Sequence, residues 1–399
     1  MCYKKIANTF DVASKVCAVL TAPAIVFSTA ATVVLFPVTI FFSLLAGNLR
    51  ERLNFILSNP VVFILLIFCS MFLIGVTYSS ASWSDIFLVL RKYDKYLFAV
   101  MFFPLFREEK WRNYAINAFL ASILVLLLAS YLKHFSWLRQ WSTGPVEIFR
   151  FTIEFNFLMA FGAYLCLFKF VSIRSHWRWL WVAFFLLVIH TVLFRSVGRS
   201  GYIVFAGLMM LFFLQRFRWK GLVIAATSMI LLFSAVYIFS HPFKHRMELV
   251  FKDIKTYHKD DYTSVGLRIT FVKNSLKLIK SNPVFGTGTG SFAKEYREIK
   301  PTPKIKSTNP HNEYMYVMVQ FGFVGLVMLL LFFGVPWRYS RFLPAQEKYI
   351  AQGIIISIML GSLANSWLLD VTEGHCYAYF IALAFGALSF RRGKFQIEK

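Results

Sequence analysis

Long apolar windows recur along the whole chain, near residues 17–33, 34–46, 59–77, 96–106, 114–132, 149–170, 178–194, 201–215, 220–240, 312–335, 349–369 and 374–390. A membrane-spanning helix needs ~20 mostly apolar residues, so windows of this kind dictate what the chain becomes. Of its 399 residues 58% are apolar and 16% charged, where a soluble domain has ~45–50% and ~25%. That much apolar surface with so little charge excludes the soluble, fibrous and disordered classes. The expected fold is an all-α polytopic membrane protein of about twelve transmembrane helices. The first two windows form one run interrupted by Pro23 and Pro37, leaving two short helices or one kinked helix open. The window at 96–106 is too short to span alone and is expected to extend back through Asp85–Leu90.

A formal charge of +24 cannot sit in lipid and must concentrate in the loops. Nucleic acid is not an expected partner, because no soluble basic domain carries the charge. Membrane lipids, through their anionic headgroups, and phosphorylated substrates fit better. With the N-terminus inside, each inner segment is basic: Lys4, Lys5 and Lys15; Arg50 and Arg52; Arg107, Lys110 and Arg112; Arg174 and Arg178; Arg216, Arg218 and Lys220; Arg338, Arg341 and Lys348; Arg391, Arg392 and Lys394. The bias of Lys and Arg toward inner loops then puts both termini in the cytoplasm. Residues 1–15 are short and basic before an apolar run, and are expected to lead an uncleaved first span. Cys2, Cys17, Cys69, Cys166 and Cys376 are scattered without metal-ligand spacing, and read as small packing residues.

Three regions follow: helices 1–9 over 1–240, a long outer loop with an amphipathic helix over 241–310, and helices 10–12 with a tail over 311–399. The loop holds 14 Lys or Arg against 6 Asp or Glu. Long loops cross membranes regardless of charge, so the topology stands, but this loop needs a purpose.

The candidate residues cluster on that outer side. In Asn309-Pro310-His311-Asn312-Glu313-Tyr314, Asn309 is a good N-cap and Pro310 suits the first helical position. His311 is then expected in the first helical turn, where an imidazole is a plausible general base for a hydroxyl; an interfacial histidine bonded to backbone competes with that reading. Arg195 and Arg199, four apart, would share a face on a continuous helix, and guanidinium forks match phosphate oxygens. Snorkelling into headgroups is the bland alternative.

Val265–Lys280 reads as an amphipathic helix, with Lys273, Lys277 and Lys280 on one face and Val272, Leu276 and Ile279 opposite. Arg268 projects into that apolar stripe and needs an anionic partner. The alternating glycines of Asn282–Phe292 have neither GxGxxG nor P-loop spacing and read as a turn. His241 and His245 have ligand spacing without a third ligand, and no DxD occurs, so no metal is expected. Arg150 with Glu154, and His190 before Arg195, are expected to support the site.

Ser196-Val-Gly-Arg-Ser-Gly201, Gly266-Leu-Arg-Ile269 with Asn282-Pro-Val-Phe-Gly286, and Pro310-His-Asn-Glu313 together resemble the bacterial O-antigen ligase family, within the wider group of ligases and O-antigen polymerases. The motifs are short; their order and topological position carry the resemblance. It implies a GT-C-like layout with the long loop in the periplasm, and an inner-membrane enzyme acting on that side. It implies an inverting glycosyltransferase, working without metal or other cofactor. The donor is O-antigen linked to undecaprenyl diphosphate, and the acceptor a sugar hydroxyl of lipid A-core. Residue by residue it makes His311, Arg199 and Arg268 catalytic. Arg195, Asn312, Glu313 and Lys273 become candidates for binding the pyrophosphate or the acceptor. A polymerase using the same donor, a protein oligosaccharyltransferase and a glycolipid flippase without chemistry are the alternatives.

Overall fold

The computed structural model describes residues 2–135, 149–196, 198–257, 262–299, 308–391 and 394–397. Helix α1 (Cys2–Phe27) and helix α2 (Thr29–Leu45) pack along each other. Between them Ser28 is extended at φ −151°, and its hydroxyl caps α2 by accepting from the Ala31 N–H at 3.2 Å. The first apolar run is therefore two helices, broken at Ser28 rather than at Pro23 or Pro37, which lie inside α1 and α2.

Helices α3 (Leu49–Leu57) and α4 (Pro60–Val76) meet at 86°, with Asn59 as cap and Pro60 opening α4. Helix α5 (Trp83–Val100) extends the short 96–106 window backward, as expected, and a 3₁₀ turn at Phe103–Phe106 completes it. Then come α6 (Glu109–His134), α7 (Thr152–Ser172), α8 (Arg178–His190), α9 (Arg199–Phe217) and α10 (Trp219–Phe239).

The hydrophilic segment folds as α11 (His241–Thr256), α12 (Ser264–Ser281) and α13 (Phe292–Ile299). Helices α14 (Glu313–Tyr339), α15 (Ala345–Gly361) and α16 (Val371–Phe385) close the bundle. Beyond them, strands β1 (Leu388–Arg391) and β2 (Lys394–Ile397) pair antiparallel, the only strands among the described residues.

Each of the twelve apolar windows contains a helix, but they are not equal. Among the described residues seven helices are long and apolar enough to cross a membrane unaided, or eight with the bent α3–α4 pair taken as one span. Helices α2 and α15 have 17 residues and α16 has 15, shorter than the ~20 that a bilayer core asks for. The window at 349–369 is not one helix. Helix α15 ends at Gly361, and residues 362–370 form a loop before α16.

Helices α7 and α16 fill the centre. Every residue of α16 from Thr372 to Phe385 is buried. Helix α10 is the opposite, with only 11% of its apolar window buried in the protein. Aromatic rings knit α4, α5 and α14 together: Phe68 stacks on Phe332 with centroids 4.1 Å apart, and Phe72 on Tyr93 at 4.1 Å. Inside a bilayer, contact packing of this kind rather than water expulsion holds helices together.

Helix α14 is interrupted at Gly322, whose φ of 60° and ψ of −151° free nearby backbone groups. The glycine-rich turn fills that break. Thr287 and Gly288 donate their N–H groups to the carbonyls of Val319 and Gln320 at 3.1 and 2.8 Å, and Phe323 N–H returns to the Pro283 carbonyl at 2.8 Å. Thr289 N–H bonds the Gly75 carbonyl of α4 at 3.1 Å. Irregular backbone among spanning helices is tolerable only where protein satisfies it. The turn was expected; its insertion between α4 and α14 was not.

Candidate functional site

A groove of about 860 Å³ opens between α9, α10, α11 and α12. Its walls are chiefly apolar, including Ile203 and Ala206 of α9, Phe233 and Ile238 of α10, and Phe243 and Val250 of α11. Arg199 and Arg268 line it, and among the described residues no acidic residue does. Arg199 is the first residue of α9 and donates Nη2 to the Ser264 hydroxyl at 2.8 Å. Arg268 lies one turn into α12, and among the described residues its guanidinium has no hydrogen bond and no ion pair. Burial first, and then the neighbouring Arg199 charge, pull the Arg268 pKa below its ordinary value. Arg246 of α11 adds a further positive charge acting on Arg199. The Asp253 carboxylate opposes it at Arg199, but among the described residues no carboxylate lines the groove beside the two arginines. The groove therefore offers an apolar channel joined to an anion-seeking end.

His311 stands beside this groove but not in a helix. The cap of α14 is Asn312, whose Oδ1 accepts from the Met315 N–H at 3.0 Å, and the first helical residue is Glu313. The expectation of Asn309 as cap, with Pro310 and His311 in the first turn, is corrected by three residues. His311 instead adopts φ 51°, with its N–H bonded to the Asn309 Oδ1 at 2.9 Å. Its Nδ1 lies 2.8 Å from the Asn365 Oδ1. Asn365 in turn donates its Nδ2 to the Asp370 Oδ2 at 3.0 Å, so the Asn365 oxygen faces the imidazole as an acceptor. Nδ1 then carries the proton, and the Nε2 lone pair is free to accept one. The His311 ring also packs on Phe271 of α12 with centroids 5.7 Å apart, one turn after Arg268. Ala364, next to Asn365, is itself part of the groove wall. The histidine, its partner amide and both arginines thus converge on one region.

The other candidates part company with them. Arg195 ends a π turn, Thr191–Arg195, and extended Ser196 separates it from the start of α9 at Arg199. No continuous helix joins the two arginines, so they do not share a face. Arg195 turns instead to α6. It donates Nη2 to the Ser130 carbonyl at 2.7 Å and sits 4.6 Å from the Tyr131 ring centroid. His190 bonds the same tyrosine's hydroxyl at 2.7 Å.

Asn312 has both ends of its amide engaged, capping α14 and donating to the Leu363 carbonyl at 3.0 Å. Glu313 is fully buried, accepting from the Tyr93 hydroxyl and from the Leu368 N–H at 3.1 Å. Both residues are fasteners between α14, α5 and the 362–370 loop. Lys273 points away from the groove, with Nζ 4.4 Å from the Tyr257 ring centroid. Arg150 and Glu154 approach to 3.7 Å, and Arg150 also donates to the Ile25 carbonyl at 2.6 Å. Among the described residues no group of three or more His, Cys, Asp or Glu is arranged to hold a metal ion.

Helix α12 also departs from its expected facing. Ile279 is buried as expected, but the buried line runs through Phe271, Asn274, Ser275 and Leu278 and leaves Leu276 exposed. The stripe is rotated from the Val272–Leu276–Ile279 line because polar Asn274 and Ser275 are buried, Asn274 bonding the Tyr296 hydroxyl at 3.3 Å.

Sequence reasoning missed Asn365 and Asp370. The signal was available, since an amide inside an apolar window with a carboxylate five residues on, just past its end, rarely faces lipid.

The fold and this region define the class: a polytopic, helical membrane protein with a groove joining apolar walls to two arginines. Residues 183–330 match the family described as O-antigen ligase. That stretch holds Arg199, Arg268 and His311, and over it the chain is similar to the O-antigen ligase family. An uncharacterized protein of Haemophilus influenzae is 30% identical over 156 residues, which is 36% of this chain and 39% of that relative. The chain thus spans well under half the length of the curated relative that it matches.

Proposed function

We propose that the protein is an inverting glycosyltransferase of lipopolysaccharide assembly, moving O-antigen from undecaprenyl diphosphate to a sugar hydroxyl of lipid A-core. The observation that carries this reading is the groove, whose apolar walls suit a polyprenyl chain and whose two arginines suit a pyrophosphate. In the reaction the acceptor oxygen attacks the anomeric carbon, and the bond from that carbon to the pyrophosphate oxygen breaks. His311 Nε2 takes the hydroxyl proton, while Arg199 and Arg268 stabilise the charge gathering on the departing undecaprenyl diphosphate. The guanidiniums supply the positive charge, so the proposed chemistry needs no metal or other cofactor. Asn365 and Asp370 hold the histidine in the tautomer that the step requires.

The same reading makes the protein a GT-C-like chain of twelve spans in the inner membrane, with both termini in the cytoplasm and the groove open to the periplasm. It divides the chain into helices 1–9 over 1–240, the periplasmic loop over 241–310, and helices 10–12 with a tail over 311–399. A helix in each of the twelve windows and the basic inner loops support that layout.

The test uses purified wild type and His311→Ala in detergent with undecaprenyl-diphosphate-linked glycan and lipid A-core, without added metal. Glycan on lipid A-core, formed by wild type and lost in the variant, is the expected result. Longer polyprenyl-linked glycans with lipid A-core untouched would replace the ligase reading with a polymerase. No product from folded wild type would overturn both in favour of transport.

A further inference from the structure

Helix α12 separates two basic surfaces. Arg268 faces the groove described above. At ~100° per residue, Lys273, Lys277 and Lys280 lie roughly 120–180° around the helix from it. They line a second concavity of about 580 Å³, closed by Tyr257, Leu276 and Ile299. Among the described residues no acidic residue lines it, and none of the three ammonium groups forms an ion pair or a hydrogen bond. The neutral polar groups there are engaged with protein. The Tyr257 and Thr270 hydroxyls approach each other at 3.2 Å, and Asn274 donates to the Tyr296 hydroxyl at 3.3 Å. The Tyr257 ring holds one ammonium in place, with Lys273 Nζ 4.4 Å from its centroid. Three ammonium groups are the free donors of a concave surface that, among the described residues, has no acidic lining.

We infer that this lysine cavity is a second anion site, distinct from the arginine groove, and that it takes the phosphate esters of a phosphorylated saccharide. Resting on the ligase reading, it is the acceptor's docking point, and α12 is the wall between donor and acceptor. Flexible ammonium groups suit phosphomonoesters spread over a saccharide, where fork-shaped guanidiniums suit a fixed pyrophosphate. Two kinds of basic residue on two faces of one helix then divide the two substrates.

The experiment reads binding without turnover. Full-length wild type, K273Q/K277Q/K280Q and R199Q/R268Q are purified in neutral detergent. They are titrated with deacylated, phosphorylated core oligosaccharide and with the same oligosaccharide after phosphatase treatment. Wild type is expected to prefer the phosphorylated form by roughly tenfold. The triple lysine variant should lose that preference and the double arginine variant should keep it. Preference kept by the lysine variant, or lost in the arginine variant, would overturn the assignment.

Phosphatidylglycerol nanodiscs and inorganic phosphate serve as competitors. Full displacement by the former would make the cavity a headgroup contact, and by the latter at matched concentration a free-phosphate site. Either overturns the saccharide assignment. The exposed lysines are replaceable without loss of fold, which thermal unfolding checks, and K273E/K277E should repel the phosphorylated form outright. Because no glycan is transferred, an inactive enzyme and an absent lysine site give different results.

Discussion

Asn365→Ala removes one hydrogen-bond acceptor from His311 and leaves the imidazole in place. In the structure the Asn365 Oδ1, 2.8 Å from Nδ1, is what fixes the proton on that nitrogen and frees Nε2. A neutral hydrogen bond of this kind is worth about 1 kcal/mol net, which translates to roughly fivefold in rate. Loss of the histidine itself removes general-base catalysis, typically 10²–10⁴-fold. Asn365→Ala should therefore lower kcat by roughly fivefold, with little change in donor KM, and His311→Ala should cost far more. The decisive variant is the double one. If Asn365 acts only through His311, H311A/N365A should be no slower than His311→Ala, because coupled residues are not additive. The assay is single-turnover transfer from polyprenyl-diphosphate-linked glycan, with thermal unfolding to confirm that each variant is folded. An unchanged kcat in Asn365→Ala would refute the argument. So would a further fivefold loss in the double variant, since Asn365 would then act without the histidine.

Arg268→Gln should lower kcat by roughly 10²–10³-fold, as removal of a charge-stabilising donor does, whereas Arg195→Gln should lower the unfolding temperature and leave kcat within about twofold; equal kinetic losses in both would restore Arg195 to the site. Gly322→Ala puts a Cβ 2.3 Å from the Val284 carbonyl oxygen at φ +60°, so a loss of at least about 1–3 kcal/mol is expected, read as a lower melting temperature in detergent. Burial, ahead of the opposing pull of Lys95 and Lys92, pushes the Asp370 carboxyl up to about 6. A raised carboxyl withdraws stability as pH rises through that window, because the folded state must then bury a charge that the unfolded state keeps in water. Asp370→Asn should accordingly melt higher than wild type at pH 8, by an amount equivalent to about 3 kcal/mol or less, and the gap should close as pH falls toward 4.

The helices were legible because their signal is length and apolarity, which lipid enforces residue by residue. Arg199, Arg268 and His311, which the structure brings to one region, stand out in the sequence for a related reason, since each is a charged or titratable group near a predicted helix end. What the sequence could not show was contact between distant segments. Arg195 and Arg199 look alike in spacing, but the extended backbone at Ser196 sends one toward α6 and the other toward α12. Asn312 and Glu313 look like substrate ligands because they flank His311. Their hydrogen bonds instead go to Leu363, Leu368 and Tyr93, 51 to 220 residues away in the chain. Asn365 was hidden by its window, where Gly361 and the loop after it cannot be told from a continuing helix by hydropathy alone.

The non-helical backbone of His311 bears directly on its proposed role. In a helical first turn the imidazole would project along the surface of α14, and its orientation would follow the helix. A left-handed backbone at φ 51° costs a non-glycine residue roughly 1–3 kcal/mol and persists only where its surroundings over-determine it. Here they do, from both sides. The Asn309 side chain holds the backbone N–H, and Asn312 caps the helix that follows. Across the gap, the 362–370 loop that carries Asn365 is anchored by buried groups of α5. Lys95 Nζ bonds the Asp370 carbonyl at 2.6 Å, and the Tyr96 hydroxyl bonds the Leu368 carbonyl at 2.8 Å. Glu313 ties that loop to the start of α14 through the Leu368 N–H at 3.1 Å. The histidine is thus aimed by two irregular segments, and α5 fastens one of them to the bundle. A base held this way keeps its direction when substrate displaces solvent, which is the preorganisation that proton transfer from a positioned hydroxyl requires.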